Sequence, residues 1–174
     1  NILVTGCFGF IGYNFLNYIK NYFPNDFNLI GVDSLISNTS KLNQIEFNKF
    51  ENFEFYRLDI NDIDTLKKKD FELIINFAAE SHVDNSISDP NKFIKSNVMG
   101  TNELLKFALK NEIQNFIHIS TDEVYGSNKS GFSLESDNLD PSSPYSASKA
   151  SAEMICKAYI KTYDMKIKMC RPAN

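Results

Sequence analysis

A short apolar run at the start of the chain, Ile2-Leu3-Val4-Thr5, breaks into Gly6-Cys7-Phe8-Gly9-Phe10-Ile11-Gly12 and then continues with helical periodicity. Few architectures ask for a strand that ends in closely spaced glycines and passes at once into a helix. Glycine there allows a tight turn, lets backbone approach a pyrophosphate, and lets the helix lie close to the strand. The start of the helix then offers free N–H groups and the positive end of its dipole to a phosphate. By itself the spacing is weak, and a plain structural turn explains it about as well. Asp33 changes the balance. It closes the second apolar run about twenty residues after Gly12, where a carboxylate accepts hydrogen bonds from the adenosine ribose hydroxyls. A negative charge there repels a 2′-phosphate, so the pattern selects NAD over NADP. The bland alternative for Asp33 is a strand-end cap.

Strand-length apolar runs recur near residues 2–5, 28–32, 53–57, 72–77, 115–120 and 166–170, separated by helical patterns near 10–22, 61–67, 90–111 and 144–163. This alternation predicts an α/β fold of the Rossmann type, a doubly wound parallel sheet with helices on both faces. Asp89-Pro90 suits a helix start, with Asp as cap and Pro in the first turn, and Pro144 opens the last helix in the same way. Residues 34–50 form a long connection without a readable pattern. Residues 127–143, with Gly131, Pro141 and many serines, suit a lid or substrate loop.

The chain has 174 residues and 18 Lys and Arg against 22 Asp and Glu, a net charge of −4. That balance argues against a nucleic-acid or anionic-membrane surface. No apolar run reaches membrane-spanning length. Cys7, Cys156 and Cys170 are widely spaced and lack metal-ligand periodicity, so they read as reduced thiols of a cytoplasmic protein, and no metal site is expected. The first residue is Asn1 rather than Met, and the sequence ends at Arg171-Pro172-Ala173-Asn174 just after a strand-like run. Both ends read as cut, leaving residues 1–174 as the NAD-binding domain of a longer protein.

Ser120-Thr121-Asp122-Glu123-Val124-Tyr125-Gly126 follows the apolar run Phe116-Ile117-His118-Ile119, and Tyr145-Ser146-Ala147-Ser148-Lys149 comes about twenty residues later. Tyr145 and Lys149 are one helical turn apart and share a face. A nearby cation favours the phenolate, which makes the phenol a usable base. An adjacent acid and base can then remove water from a molecule that the phenol has helped to oxidise. A Tyr–Lys pair at this spacing is common by chance, and an isolated Asp-Glu pair is usually a cap beside a solvated acid. Placed together after a strand end, the set reads as a dehydratase.

Thr5-Gly6 through Gly12, Phe77-Ala78-Ala79-Glu80-Ser81-His82-Val83-Asp84, Asn97-Val98-Met99-Gly100-Thr101, Ser120 through Gly126 and Tyr145 through Lys149 resemble the extended short-chain dehydrogenases/reductases. Among these they are most similar to the dTDP-glucose 4,6-dehydratases. The resemblance implies that Gly6, Gly9, Phe10, Ile11, Gly12 and Asp33 hold NAD, that Asp59 and Ile60 flank the adenine, and that Ala78, Ala79 and Ser81 line the cofactor. It also implies that Asn97 supports the wall of the site and that Asn174 reaches the sugar nucleotide. A smaller C-terminal substrate domain is expected beyond residue 174. The helices near 90–111 and 144–163 resemble those of a dimeric four-helix bundle, so a homodimer is expected. Cys7 stands where the family usually has a second glycine; a side chain turned away from the pyrophosphate accommodates it.

In that frame Tyr145 takes the proton from a sugar hydroxyl, with Lys149 and the nicotinamide lowering its pKa and Thr121 bonding the same oxygen. Glu123 removes the C5 proton from the 4-keto sugar, and Asp122 protonates the departing C6 hydroxyl. Asp122 must be protonated to act, and a neighbouring carboxylate in a low-dielectric pocket raises its pKa. Tyr145 and Lys149 also touch the cofactor, and Thr121, Asp122 and Glu123 the substrate. A sugar 4-epimerase needs the tyrosine but not the acid–base pair. UDP-glucuronate decarboxylases and GDP-mannose dehydratases resemble Thr-Ser-Glu rather than Thr-Asp-Glu, so Asp122 speaks against both. A non-catalytic NAD sensor needs none of the four residues Asp122, Glu123, Tyr145 and Lys149. His118 reads as a sheet residue, His82 as a structural hydrogen-bonding group, and Arg171 either as an ion-pair partner or as a contact to a substrate phosphate.

Overall fold

Six runs rich in Ile, Leu, Val and Phe become the strands of one sheet in the computed structural model, which describes residues 1–47, 51–67, 70–127 and 131–173. They are β1 (Ile2–Thr5), β2 (Leu29–Asp33), β3 (Phe53–Arg57), β4 (Leu73–Asn76), β5 (Asn115–Ile119) and β6 (Lys166–Cys170). Every pairing is parallel, and the order is β3-β2-β1-β4-β5-β6. This order makes the sheet doubly wound, as expected, with its reversal between β1 and β4, the point at whose carboxyl ends such sheets bind ligands.

Strands buried on both faces read as continuous apolar runs, and β1 and β2 are buried at every residue. Successive side chains point to opposite faces. Leu3 therefore joins Ile74, Leu104, Phe116 and Cys156 in the core on one side of the sheet, while Ile2 and Val4 join Leu16, Phe47 and Ile75 on the other.

Helix α1 (Phe10–Tyr22) lies where the sequence places it. The connection 34–50 contains α2 (Asn38–Phe47), whose polar composition hides it. Its anchor is Phe47, buried among Phe8, Tyr13 and Phe53 at centroid distances of 6.3, 6.0 and 4.9 Å. The helix expected near 61–67 is a 3-10 helix at Ile60–Thr65, started by Asp59, whose carboxylate accepts from the Asn61 N–H. A short helix, α3 (Val83–Ser88), has no counterpart in the sequence reading.

The single helix expected over 90–111 is three segments: α4 (Pro90–Phe93), a π-helical stretch Ile94–Met99, and α5 (Gly100–Lys110). Such wider turns often occur at functional sites. This one carries the buried Asn97, and it ends at Gly100, where a Cβ would lie 2.4 Å from Ile60 Cδ1. Asp89 does not cap with its side chain and instead pairs with Lys92 at 3.2 Å. Helix α6 (Pro144–Tyr163) starts as expected, with a Ser143–Ser146 capping box and Pro144 in its first turn. All three cysteines are free. Among the described residues no helix is long and apolar enough to cross a membrane.

Candidate active site

The crevice between β1 and β4 is shaped by glycine. Gly6 has φ +63°, and a Cβ on it would lie 2.5 Å from the Ala78 nitrogen; one on Gly12 would lie 2.3 Å from the Gly6 oxygen. Loop, first helix and the strand-β4 exit are thus packed closer than any side chain allows. No side chain caps α1, and Phe10 and Ile11 at its start are exposed. An uncapped helix start behind a tight glycine turn fits a dinucleotide pyrophosphate. Cys7 is fully buried, its sulfur against Gly31 of β2, so it turns into the core as its place in the loop requires.

Asp33 is tied to the same loop. Oδ2 accepts from the Phe8 N–H at 3.0 Å and Oδ1 from the Leu35 N–H at 2.8 Å. Burial pushes its carboxyl up, while the backbone donors of Leu35, Phe8 and Gly9 pull it down; burial wins. The carboxylate therefore does cap its strand end, and it also holds the glycine loop at the position expected for the ribose. Asp59 lies alongside, since the Leu58 N–H donates to the Asp33 carbonyl at 3.1 Å, while Ile60 is sunk in the core.

The opposite wall, residues 76–81, hangs on two asparagines. Asn76 Oδ1 accepts from Thr5 Oγ1 at 2.7 Å and from the Ala78 N–H at 3.1 Å. Asn97 reaches the Glu80 backbone twice, at 2.8 and 3.0 Å, and donates to Ser148 Oγ at 2.9 Å. It thereby joins the wall carrying Ala78 and Ala79 to α6; Ser81 lies further out and is exposed. Asn76 Nδ2 also sits 3.3 Å from His118 Nδ1. An amide donor there makes Nδ1 the acceptor and leaves the ring proton on Nε2. His118 is completely buried, its pKa pushed well down by burial and by Lys149, as suits a sheet residue. His82, by contrast, is exposed and makes no side-chain cap hydrogen bond at the start of α3, against the structural bond expected of it.

Thr121 follows β5 and starts a 3-10 turn, Asp122–Tyr125, that the sequence pattern does not announce. Its Oγ1 accepts from the Glu123 N–H at 3.2 Å and donates to Asp122 Oδ1 at 3.3 Å. The Thr121 hydroxyl lies close enough to the Tyr145 phenol to pull its pKa down, and Phe93 packs edge-on against the Tyr145 ring, 6.2 Å between centroids. The turn ends at Gly126, with φ +76°, where a Cβ would meet the Asp140 oxygen at 2.0 Å. Thr121, Asp122, Glu123, Tyr145 and Lys149 are thus gathered at the carboxyl end of β5. The Glu123 carboxyl is raised, first by burial and then by Asp122. Asn174 lies outside the described residues.

One electrostatic expectation is corrected. Lys149 is expected to lower the Tyr145 pKa, yet the phenol is raised, by burial first and then by Glu123 and Asp122, with only the Thr121 hydroxyl pulling it down. Lys149 is itself buried and donates Nζ to the Ile119 carbonyl at 2.6 Å rather than to the phenol. Burial lowers its pKa to about 8. The four-residue spacing sets the shared face correctly but does not reveal the carbonyl that takes the ammonium.

Glu153 is absent from the residues singled out in the sequence. It lies one turn beyond Lys149 on the same face, fully buried, and Arg171 grips its carboxylate with two hydrogen bonds of 2.9 and 2.6 Å. Arg171 is therefore an ion-pair residue. The repeat at 145, 149 and 153 is the signal that could have found it. A cavity of about 790 Å³ opens beside the turn, lined by Asp122, Tyr125, Phe132, Lys157 and Arg171. Phe132, in the described part of the loop 127–143, is almost wholly exposed there.

Fold and site define an extended short-chain dehydrogenase/reductase. The chain belongs to the GDP-mannose 4,6-dehydratase family, whose model matches residues 3–174. It is 41% identical to the low-salt glycan biosynthesis protein Agl12 of Haloferax volcanii, covering all of this chain and 56% of Agl12. It superposes with a TM-score of 0.90 on DesIV, a dTDP-glucose 4,6-dehydratase from Streptomyces venezuelae crystallised with NAD, at 38% identity over 98% of this chain and 54% of DesIV. A UDP-glucuronic acid 4-epimerase from Bacillus cereus, also with NAD, gives a TM-score of 0.86 at 30% identity over 99% of this chain and 56% of that one. The expectation of NAD agrees with these neighbours. The chain spans about half the length of each of these three relatives.

Proposed function

We propose that this chain is the NAD-binding and catalytic part of a nucleotide-sugar 4,6-dehydratase, acting on dTDP-glucose or a near relative to give the 4-keto-6-deoxy sugar. The observation that carries the reading is the placement of Asp122 and Glu123 on a turn that begins at Thr121, near enough to Tyr145 for all three side chains to act on its phenol. An acid and a base beside an oxidising phenol suit removal of water, not oxidation alone.

Gly6, Gly9, Phe10, Ile11 and Gly12 would hold the pyrophosphate of NAD, Asp33 the ribose, Asp59 and Ile60 the adenine, and Ala78, Ala79 and Ser81 the far wall. Bound there, NAD supplies an acceptor for the C4 hydrogen that later returns to C6. Tyr145, with Thr121 beside it and the positive nicotinamide to lower its pKa, would take the proton of the C4 hydroxyl, and Lys149 would orient the ribose and nicotinamide end. Glu123, which its raised pKa makes a stronger base than a free carboxylate, removes the C5 proton, and Asp122 delivers one to the leaving C6 oxygen. Asn174 and a substrate domain beyond residue 174 would bind the nucleotide. The whole protein would be a cytoplasmic homodimer, its interface formed by the helices of residues 90–110 and by α6, on which Ile94, Met99 and Met154 are exposed.

The test is product analysis of the whole protein with a panel of nucleotide-glucoses. A 4-keto-6-deoxy product supports the reading. A C4-inverted sugar without loss of water would replace it by the epimerase reading, which the likeness to the Bacillus cereus enzyme keeps as the second choice.

A further inference from the structure

The Glu153–Arg171 pair does more than neutralise a buried carboxylate. Arg171 spends Nε and Nη2 on Glu153, but Nη1 donates to the Tyr125 hydroxyl and, at 3.3 Å, to the Glu135 carbonyl. Its Cζ lies 4.8 Å from the centre of the Tyr125 ring. Tyr125 is the last residue of the turn that carries Asp122 and Glu123. The strand leading to Arg171 holds the other end of that turn: the Cys170 carbonyl accepts from the Ser120 N–H at 2.7 Å, and the Pro172 carbonyl from the Asp122 N–H at 3.2 Å. Glu153, meanwhile, sits on the face of α6 that bears Tyr145 and Lys149.

We infer that Arg171 is a positioning residue that locks the Asp122–Glu123 turn to the Tyr145–Lys149 helix, gripping Tyr125 on one side and Glu153 on the other. For its catalytic consequence the inference rests on the dehydratase reading. A pair that served the fold alone would be complete with the two bonds to Glu153; the bond to Tyr125 is what reaches the catalytic turn. The planar fork suits this task, since one guanidinium bonds a carboxylate with two donors and keeps others for a second element, whereas an ammonium is a point charge.

The test uses the whole protein. Tyr125→Phe keeps the ring under the guanidinium and removes only the hydroxyl, and Arg171→Lys keeps the charge but loses the fork. Single-turnover mixing with a nucleotide-glucose separates NADH formation from loss of water. For both variants we expect water loss to slow roughly ten- to a hundredfold, the range for a misplaced catalytic group, with NADH formation close to the unmodified rate. A second readout needs no turnover. The Glu123 carboxyl, followed by carbon NMR, should titrate lower in Tyr125→Phe, because a loosened turn returns it toward water. If no nucleotide-glucose is dehydrated by the unmodified protein, the functional reading falls and the Glu123 titration still decides the inference. If Tyr125→Phe folds with both water loss and Glu123 titration unchanged, Arg171 is a fold-holding ion pair and the inference is overturned. Should Arg171→Lys fail to fold, Tyr125→Phe decides alone.

Discussion

The two halves of the crevice are built from different materials. On the β1–β2 side the site is backbone: glycines at 6 and 12, an uncapped helix start, and one carboxylate, Asp33, that ties the loop down. On the β5–β6 side it is side-chain chemistry, with Lys149, Glu153 and His118 buried behind Thr121, Asp122, Glu123 and Tyr145. A surface made of backbone recognises shape and tolerates no added atom. A surface made of titratable groups tolerates isosteric exchange in its fold while losing its reaction. The difference predicts that stability and turnover fail separately, and in opposite halves.

The largest effect is expected on the chemical side. On the dehydratase reading, Tyr145→Phe in the whole protein should prevent any NADH from forming with substrate. Glu123→Gln and Asp122→Asn should still form NADH and a 4-keto sugar that keeps its C6 oxygen, with water loss slowed about a hundred- to ten-thousandfold. Melting temperatures of all three should stay close to that of the unmodified protein. Rapid-mixing absorbance at the NADH band, with C5 proton exchange by NMR, checks this. Normal 6-deoxy product from both acid variants would make the pair structural and blur the contrast between the halves.

Lys149 sharpens it through pH. Its folded pKa of about 8 lies below that of an exposed lysine because the ammonium is buried. Between about 8 and the exposed value of about 10.4, the unfolded chain holds a proton that the folded one has released, so this group's contribution to stability rises with pH. Below that window the buried ammonium costs about 3 kcal/mol. Lys149→Met removes the group, so the unmodified protein should gain on the variant by about that amount across the window. Denaturant titrations of both proteins at several pH values measure it; a constant difference would mean that the ammonium is not buried.

The parts legible in the sequence follow the same division. Strand positions and the helices at 10–22 and 144–163 come from apolar periodicity and from Pro144, signals that are local. Asp33, Thr121 and Tyr145 are legible because each sits at a fixed offset from a strand end or helix start. What escapes depends on distant partners. Asn97 is legible only through the family resemblance, since no local pattern announces the π-helical turn that carries it, and Lys149 turns to a carbonyl thirty residues away. Glu153 needs Arg171, eighteen residues on and just past β6, to be worth burying. Helix α2 is hidden by asparagines and serines whose neighbour Phe47 enters the core.

Gly12→Ala probes the backbone side. Its Cβ would sit 2.3 Å from the Gly6 oxygen, so loop or helix must move. Overpacking of this kind costs about 1–3 kcal/mol, and the melting temperature should fall while NAD binding by calorimetry weakens with it. A Gly12→Ala variant that melts and binds normally would mean that the glycine loop is looser than its close contacts imply.

The smallest expected effect falls on Asp33, where the two kinds of surface meet. Asp33→Asn keeps the shape but replaces one accepting oxygen by a donor, which faces the Phe8 or Leu35 N–H unfavourably. It also removes a charge whose burial outweighs those hydrogen bonds, as the raised carboxyl pKa records. The two changes offset each other, so stability near neutrality should move by about 1 kcal/mol or less. The raised pKa fixes the sign with pH. As pH falls through it, the folded carboxyl takes up a proton before the unfolded one does, and the unmodified protein should gain on Asp33→Asn. Cofactor choice should change more than stability, because the charge that excludes a 2′-phosphate is gone. The preference for NAD over NADP should narrow roughly tenfold, about 1.4 kcal/mol. Calorimetry with both cofactors reads this directly, and an unaltered preference would make Asp33 a strand-end cap and nothing more.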